Sequence, residues 1–238
     1  MTHTLVLTAA GYSSRMEITG KKEYLPLSDN GERTISVLSS SLHAFLETRL
    51  FSLVMITVPP GGESHARRVI DADTRIAPLL DEASCRLLFT EGGSTRQDSV
   101  RHGLESLFLH STIGRGSPAT VLIHDAARPW VSKELINAVL SATLEHGAAV
   151  PALPAIDTQK EIDDTGCIIR HLDRSRIVSV QTPQGFLFQE LLEAHRLAAQ
   201  DSILCTDDAE IWGLYVGNVF TCPGERINKK ITFREDII

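Results

Sequence analysis

The chain has 238 residues, 42% of them hydrophobic and 22% charged, with a net charge of −7. That length supports a substantial core, and the composition excludes an intrinsically disordered chain. The acidic balance argues against a general nucleic-acid binder, which would be basic. Cys85, Cys167, Cys205 and Cys222 form no CxxC or Cys/His ligand spacing, which argues against a structural zinc site. No stretch reaches the ~20 apolar residues of a membrane span, and the first residues lack the basic and long apolar parts of a secretory leader. The expectation is a cytoplasmic protein with reduced cysteines and no membrane or nucleic-acid partner.

In chain order, residues 3–9 (HTLVLTA) predict the first strand, which stops on small residues. Further strands are predicted at 50–59, 85–91, 119–125 and 148–155. They are rich in Val, Ile and Leu and mostly not alternating, as in strands buried on both faces. Helical patterns occupy 34–48, 64–80, 95–110 and 133–146; in the third, Val100, Leu104 and Leu107 recur at helical spacing. This alternation predicts an α/β, Rossmann-like fold over one domain, residues 1–238, with a mostly parallel sheet flanked by helices. Ligands of such sheets bind at the carboxyl ends of the strands, so LTAAG and HDAARP should face one crevice. Near residue 156 the pattern breaks. Residues 156–181 read as a projecting β-hairpin arm turning at DDTG, too small to bury itself and therefore expected to pair with a second subunit. Helices at 187–199 and 207–215 and a strand at 216–222 close the chain.

Five segments have the residue types that chemistry needs. Ala9, Ala10 and Gly11 let a ligand approach the main chain, whose free N–H groups suit phosphate, and Arg15, Lys21 and Lys22 follow. A plain turn with solvated basic residues explains that stretch equally well, and it is neither GxGxxG nor a P-loop. Asp125, directly after a buried strand, suits a metal or hydroxyl ligand, while His124 reads as a hydrogen-bonded core histidine. In EGGSTRQDSV, Ser94 or Thr95 is suited to cap a helix whose first turn aims Arg96 and Ser99 at the crevice; ordinary capping beside a surface arginine fits as well. Asp157, Thr158, Lys160, Arg174 and Thr182, in or beside the arm, suit a polyol phosphate, though a solvated hairpin is rich in such residues too. The adjacent lysines of RINKKIT fit an exposed edge.

Together and in this order, AAGYSSRM…KKEYL, GGSTRQDSVRHGL, IHDAARP, PAIDTQK, LDRSR, QTPQ, TDDA and NKKIT resemble the 2-C-methyl-D-erythritol 4-phosphate cytidylyltransferase family of the non-mevalonate isoprenoid pathway. The resemblance runs over essentially the whole chain. It implies a nucleotidyltransferase joining CTP and a polyol phosphate, with release of pyrophosphate and Mg²⁺ as cofactor. It implies that Ala9, Ala10, Gly11, Gly93, Arg96 and Ser99 hold the nucleotide. Arg15 and Lys22 match the triphosphate site, and Lys230 the lysine that neutralises the reacting phosphates. Asp125 falls near the metal and sugar side; Asp157, Thr158, Arg174 and Thr182 match the sugar-phosphate site. The implied assembly is a homodimer in which the arm of one subunit completes the pocket of the other.

The sequence departs from the family pattern at Ser13, where a second glycine is usual, at KKE (21–23) in place of PKQ, and at Ser94 in place of an acid. Relatives also continue past FREDII into a final helix. Ribitol 5-phosphate cytidylyltransferases share nearly every motif; HDAARP and DTQK favour the methylerythritol enzyme. The Ser13 and Glu23 departures also fit a third reading, a weakly active nucleotide-binding protein on the same fold.

Overall fold

The computed structural model describes residues 2–11, 16, 20–29, 34–112 and 118–237. After β1 (His3–Thr8) comes an antiparallel pair, β2 (Pro26–Asp29) and β3 (Thr34–Ser36). Then follow α1 (Val37–Glu47), β4 (Phe51–Val58), α2 (Glu63–Asp71), α3 (Ile76–Glu82), β5 (Arg86–Glu91), α4 (Arg96–Thr112), β6 (Thr120–Asp125), α5 (Lys133–His146) and β7 (Ala148–Pro154). The remainder is β8 (Lys160–Ile162), β9 (Ile168–His171), β10 (Val178–Val180), β11 (Gln184–Leu187), α6 (Phe188–Gln200), α7 (Asp208–Tyr215) and β12 (Phe220–Pro223).

The central sheet has eight strands in the order β10-β7-β11-β6-β1-β4-β5, with β12 also on β7. β1 pairs in parallel with β4 and β6, and β4 with β5; β11 and β10 run antiparallel to their neighbours. This is the mostly parallel, helix-flanked α/β arrangement that the strand–helix alternation predicts. The chain steps outward from β1 through β4 to β5, then crosses back to β6 on the far side of β1. At such a reversal the loops after the two central strands part, and a crevice opens at their carboxyl ends.

The strands are apolar without alternation because both faces are covered. Leu5, Leu7, Val54, Ile56 and Leu122 pack against Leu38, Leu42 and Phe45 of α1 and Val139 of α5. Val6, Met55, Val121 and Ile123 pack on the other face against Val100 and Leu104 of α4 and Leu191 of α6. Each such side chain contributes about 1.5–3 kcal/mol relative to exposure.

Local chemistry explains where boundaries differ from the periodicity. α1 begins at Val37, not at 34, because Ser36 and Ser39 form a reciprocal capping box and Thr34–Ser36 pair with β2 instead. The single helix expected at 64–80 is two. Between them the buried Asp73 carboxylate accepts from the Arg75 backbone N–H at 3.3 Å and from its guanidinium at 2.8 and 2.6 Å, a local alternative to helical bonding. α5 starts at its Ser132 cap and stops at Gly147, whose φ of 85° is the left-handed stop that glycine adopts without strain. The strand expected at 216–222 begins at Phe220, since Val216 and Gly217 still donate to the Trp212 carbonyl at the end of α7. β8 and β9 form the arm as a separate exposed pair, while Val178–Val180 already rejoin β7.

Gly185 on β11 lies under α5. A Cβ there would meet Thr143 Oγ1 at 2.0 Å and Val139 Cγ1 at 3.1 Å. Gly185→Ala should lower unfolding free energy by about 1–3 kcal/mol in urea titration, and adding Thr143→Ala should recover part of the loss. An unchanged midpoint for the single variant would contradict this packing.

Candidate active site

A cavity of about 310 Å³ opens at the carboxyl ends of β1 and β6. β1 brings Thr8, Ala10 and Gly11; the β5–α4 turn brings Gly93, Ser94, Thr95, Arg96 and Ser99; β6 brings Asp125 and the residue Ala127 beyond it. A 3-10 turn at Lys22–Tyr24 adds Lys22 and Glu23, and the segment after β12 adds Lys230 and Thr232. Residues from both ends of the chain therefore meet at one site.

Small residues create the backbone lining. A Cβ on Gly92 would lie 2.3 Å from Ala10 Cβ and 2.7 Å from Ser99 Oγ, and one on Gly93 would lie 2.2 Å from Asp98 Cβ. The β5–α4 turn can press against Ala10 only because position 92 is glycine, and it can fold back on Asp98 of α4 only because position 93 is glycine. Thr95 caps α4, its hydroxyl accepting from Asp98 N at 3.0 Å, while Ser94 donates to the Asp98 carboxylate at 2.8 Å. Ser99 accepts from Gly93 N at 3.1 Å and donates to Thr95 O at 2.9 Å, so the turn is held from inside.

The site's charges form an alternating chain. Asp208 lies 2.9 Å from Arg96, Arg96 3.2 Å from Asp125, and Asp125 2.7 Å from Lys230. Asp208 is fully buried, and its other oxygen faces His195 Nε2 at 3.1 Å. Burial pushes the Asp125 carboxyl up, but Arg96, Lys230 and Arg128 outweigh it and hold the group well below the usual carboxylate range. Burial would weaken the Arg96 cation, and Asp208 and Asp125 overcome that, raising its pKa further. Lys22 is buried and donates to Ile231 O at 2.7 Å; Lys21 donates to Gly11 O. Glu23 is also buried, so the departure from the family pattern at 23 places a carboxylate in the lining.

A family model described as IspD, 2-C-methyl-D-erythritol 4-phosphate cytidylyltransferase, matches residues 3–238. The chain belongs to this family. It is 34% identical over 234 residues to a 2-C-methyl-D-erythritol 4-phosphate cytidylyltransferase of Clostridium botulinum (strain Eklund 17B / Type B), covering 98% of this chain and 95% of that one. It is 38% identical over 235 residues to a bifunctional enzyme IspD/IspF of Bradyrhizobium sp. (strain ORS 278), covering 98% of this chain and 54% of the relative. The chain thus spans about half the length of that bifunctional relative. The crystal structure of 2-C-methyl-D-erythritol 4-phosphate cytidylyltransferase from Thermus thermophilus matches at 32% identity and TM-score 0.70, covering 98% of this chain and 94% of that one. A 4-diphosphocytidyl-2C-methyl-D-erythritolsynthase structure from Anaerococcus prevotii DSM 20548 shares the fold, with TM-score 0.76 at 24% identity and 99% and 94% coverage.

For this cytidylyltransferase-family chain, the structure gathers Ala10, Gly11, Lys22, Gly93, Arg96, Ser99, Asp125 and Lys230 round the cavity. Ala9 is instead buried in the core, its N–H donating to Thr57 O at 3.0 Å. Arg15 and Ser13 lie outside the described residues. Asp157, Thr158 and Arg174 stand apart from the lining on the arm side, where Arg174 donates to Ile156 O at 3.0 Å. Thr182 is buried behind Asp125, accepting from its backbone N–H at 3.1 Å. Motif reading gave no role to Gly92, Thr8, Thr232, Asp208 or Asn228, although they lie within the quoted segments GGSTRQ, LTAAG, NKKIT and TDDA.

Among the described residues, no three His, Cys, Asp or Glu side chains gather as a metal cage. Asp125 remains a hard oxygen donor, ionised across the physiological range. Its chemistry suits a magnesium ion that keeps most of its coordination for substrate phosphates and water.

His124 is fully buried, its Nε2 3.2 Å from Arg128 O and its Nδ1 3.1 Å from the Thr182 hydroxyl. Burial lowers its pKa from 6.5 to about 3. Between those values the unfolded chain binds the proton and the folded chain does not, so stability is lost as pH falls below 6.5. The urea midpoint should drop between pH 7 and pH 5, and drop less in His124→Asn. Equal slopes in the two proteins would overturn this assignment.

Proposed function

We propose that this chain is a cytidylyltransferase that joins CTP to 2-C-methyl-D-erythritol 4-phosphate, giving the cytidine diphosphate sugar and pyrophosphate for isoprenoid precursor synthesis. One observation carries the reading: Lys22 and Lys230, from opposite ends of the chain, meet Arg96 at a cavity floored by small strand-end residues. Membership of the family supports the substrate pair.

The chemistry asks for this equipment. A phosphate oxygen of the sugar attacks the α-phosphorus of CTP, a new P–O bond forms, and the α–β bond breaks as pyrophosphate leaves. The attacking oxygen is already anionic, so no general base is required. Positioning two polyanions in line and neutralising their charge is most of the work. Ala10, Gly11, Gly93 and Ser99 line the wall for the nucleotide, with Ala9 beneath them in the core. Lys22 and Lys230 face the phosphates, with Arg15 as a third cation. Asp125 takes the sugar side and would hold a magnesium ion, which when bound supplies further charge neutralisation. Arg96, bonded to Asp125 through Nε and to Asp208 through Nη1, holds Asp125 in place and lines the nucleotide wall.

The same reading includes a homodimer. Ile162, Ile168 and Ile169 on the arm are 60%, 50% and 58% exposed, and Ile156 at its base is 64% exposed. A two-stranded pair with that apolar surface gains by covering it against a second copy. Asp157, Thr158 and Arg174 would then complete the partner's sugar-phosphate pocket, with Thr182 behind Asp125. Among the described residues no helix is long and apolar enough to cross a membrane. Four free cysteines suit a cytoplasmic enzyme.

Pyrophosphate release from CTP and Mg²⁺, assayed in parallel with methylerythritol phosphate and ribitol phosphate, tests the function. Release with the first alone is expected; release with ribitol phosphate alone would replace the substrate, and none with either would end the reading. Lys22→Ala and Lys230→Ala should each reduce kcat by about 10²-fold or more with unchanged far-UV circular dichroism; wild-type rates would remove the lysines from the mechanism. Deleting residues 163–166 should convert a dimer to monomer by sedimentation. An intact dimer would reject the arm as its interface.

A further inference from the structure

Lys230 arrives on a segment with no helix or strand between β12 and a 3-10 turn at Arg234–Asp236. Its neighbour Ile227 is 63% exposed, yet Asn228 is 0% exposed. Burying an amide in an otherwise exposed strap is costly unless its polar atoms are used. Here they are. Asn228 Nδ2 donates to Thr182 O at 2.8 Å and to Gln181 Oε1 at 3.4 Å. The Asn228 main-chain carbonyl accepts from Arg128 Nη1 at 2.8 Å and from Gln181 Nε2 at 3.3 Å. Gln181 also pairs with the main chain of Glu225, accepting from its N–H at 3.1 Å and donating to its carbonyl at 2.9 Å, as a neighbouring strand would.

On the far side of Lys230, Ile231 N–H donates to Ala127 O at 2.8 Å and Ile231 O accepts from Lys22 at 2.7 Å. The lysine is therefore pinned two residues before and one residue after. The upstream pin reaches Thr182, whose hydroxyl also receives the Asp125 N–H. Lys230 and its carboxylate partner are thus registered to one residue. A lysine on a four-carbon stem is a loosely placed charge unless its backbone is fixed.

We propose that Asn228 is a positioning residue for Lys230, setting the reach of that ammonium into the cavity through the side-chain clasp to Gln181 and Thr182. The proposal rests on the role for Lys230 given above. A double-mutant cycle in kcat, with thermal midpoints recorded alongside, separates the two. Asn228→Ala should lower kcat about tenfold in the wild-type background, since small displacements of a charge-stabilising group are costly. In the Lys230→Ala background it should change kcat by less than about twofold, because the group it positions is gone. Any loss of thermal stability should be equal in both backgrounds. The same factor in both backgrounds would overturn the proposal while leaving Lys230 in place. Wild-type kcat for Lys230→Ala alone would instead overturn the role of Lys230 and this inference with it. Gln181→Ala, which cuts the clasp from the other side, replaces Asn228→Ala in the same cycle if that variant does not fold.

Discussion

The structure turns on one electrostatic constraint: a carboxylate, Asp125, at the end of a strand buried on both faces. A buried charge persists only when other charges and hydrogen bonds replace the water it loses. The surrounding architecture supplies them. α4 begins where Arg96 reaches Asp125, α7 begins where Asp208 anchors the far side of that arginine, and the strap after β12 lies where Lys230 closes the chain of charges. His124, next to Asp125, stays neutral in a pocket whose hydrogen bonds suit the neutral ring, and it steadies Thr182 behind the carboxylate.

This arrangement divides labour among residues of the same charge. Arg96 lies between two carboxylates, Asp125 and Asp208. Lys230 ends the chain of charges, with a side chain 35% exposed against 28% for Arg96. Lys22, tied to the Ile231 carbonyl, shares a support with it. The two lysines are therefore held by one piece of backbone.

The fold was largely legible because its signal is hydrophobic and local. Strands buried on both faces give continuous apolar runs, and five such runs became β1, β4, β5, β6 and β7 with boundaries within a residue or so. What failed was set by side-chain bonds that periodicity cannot see: Asp73 turning on Arg75 to split a helix, and Ser36 delaying another. The motif residues Gly11, Gly93 and Asp125 beside strand ends, and Lys230 on the strap, do meet at one cavity. The site was illegible where the partner is far away in sequence. Nothing in DRSRIVSVQTP announces that Gln181 and Thr182 will receive Asn228, and the charge of Asp208 has meaning only once α7 has packed beneath Arg96.

The position of Lys230 beyond β12 also orders events during synthesis on the ribosome. β1 is made first but sits in the middle of the sheet, between strands that begin at residues 51 and 120. The cavity gains its second lysine only when the strap beyond residue 223 has emerged and docked on Ala127. Contacts between sequence-distant segments form slowly because long loops must close first. A nascent chain can therefore complete most of its sheet well before its charge chain closes.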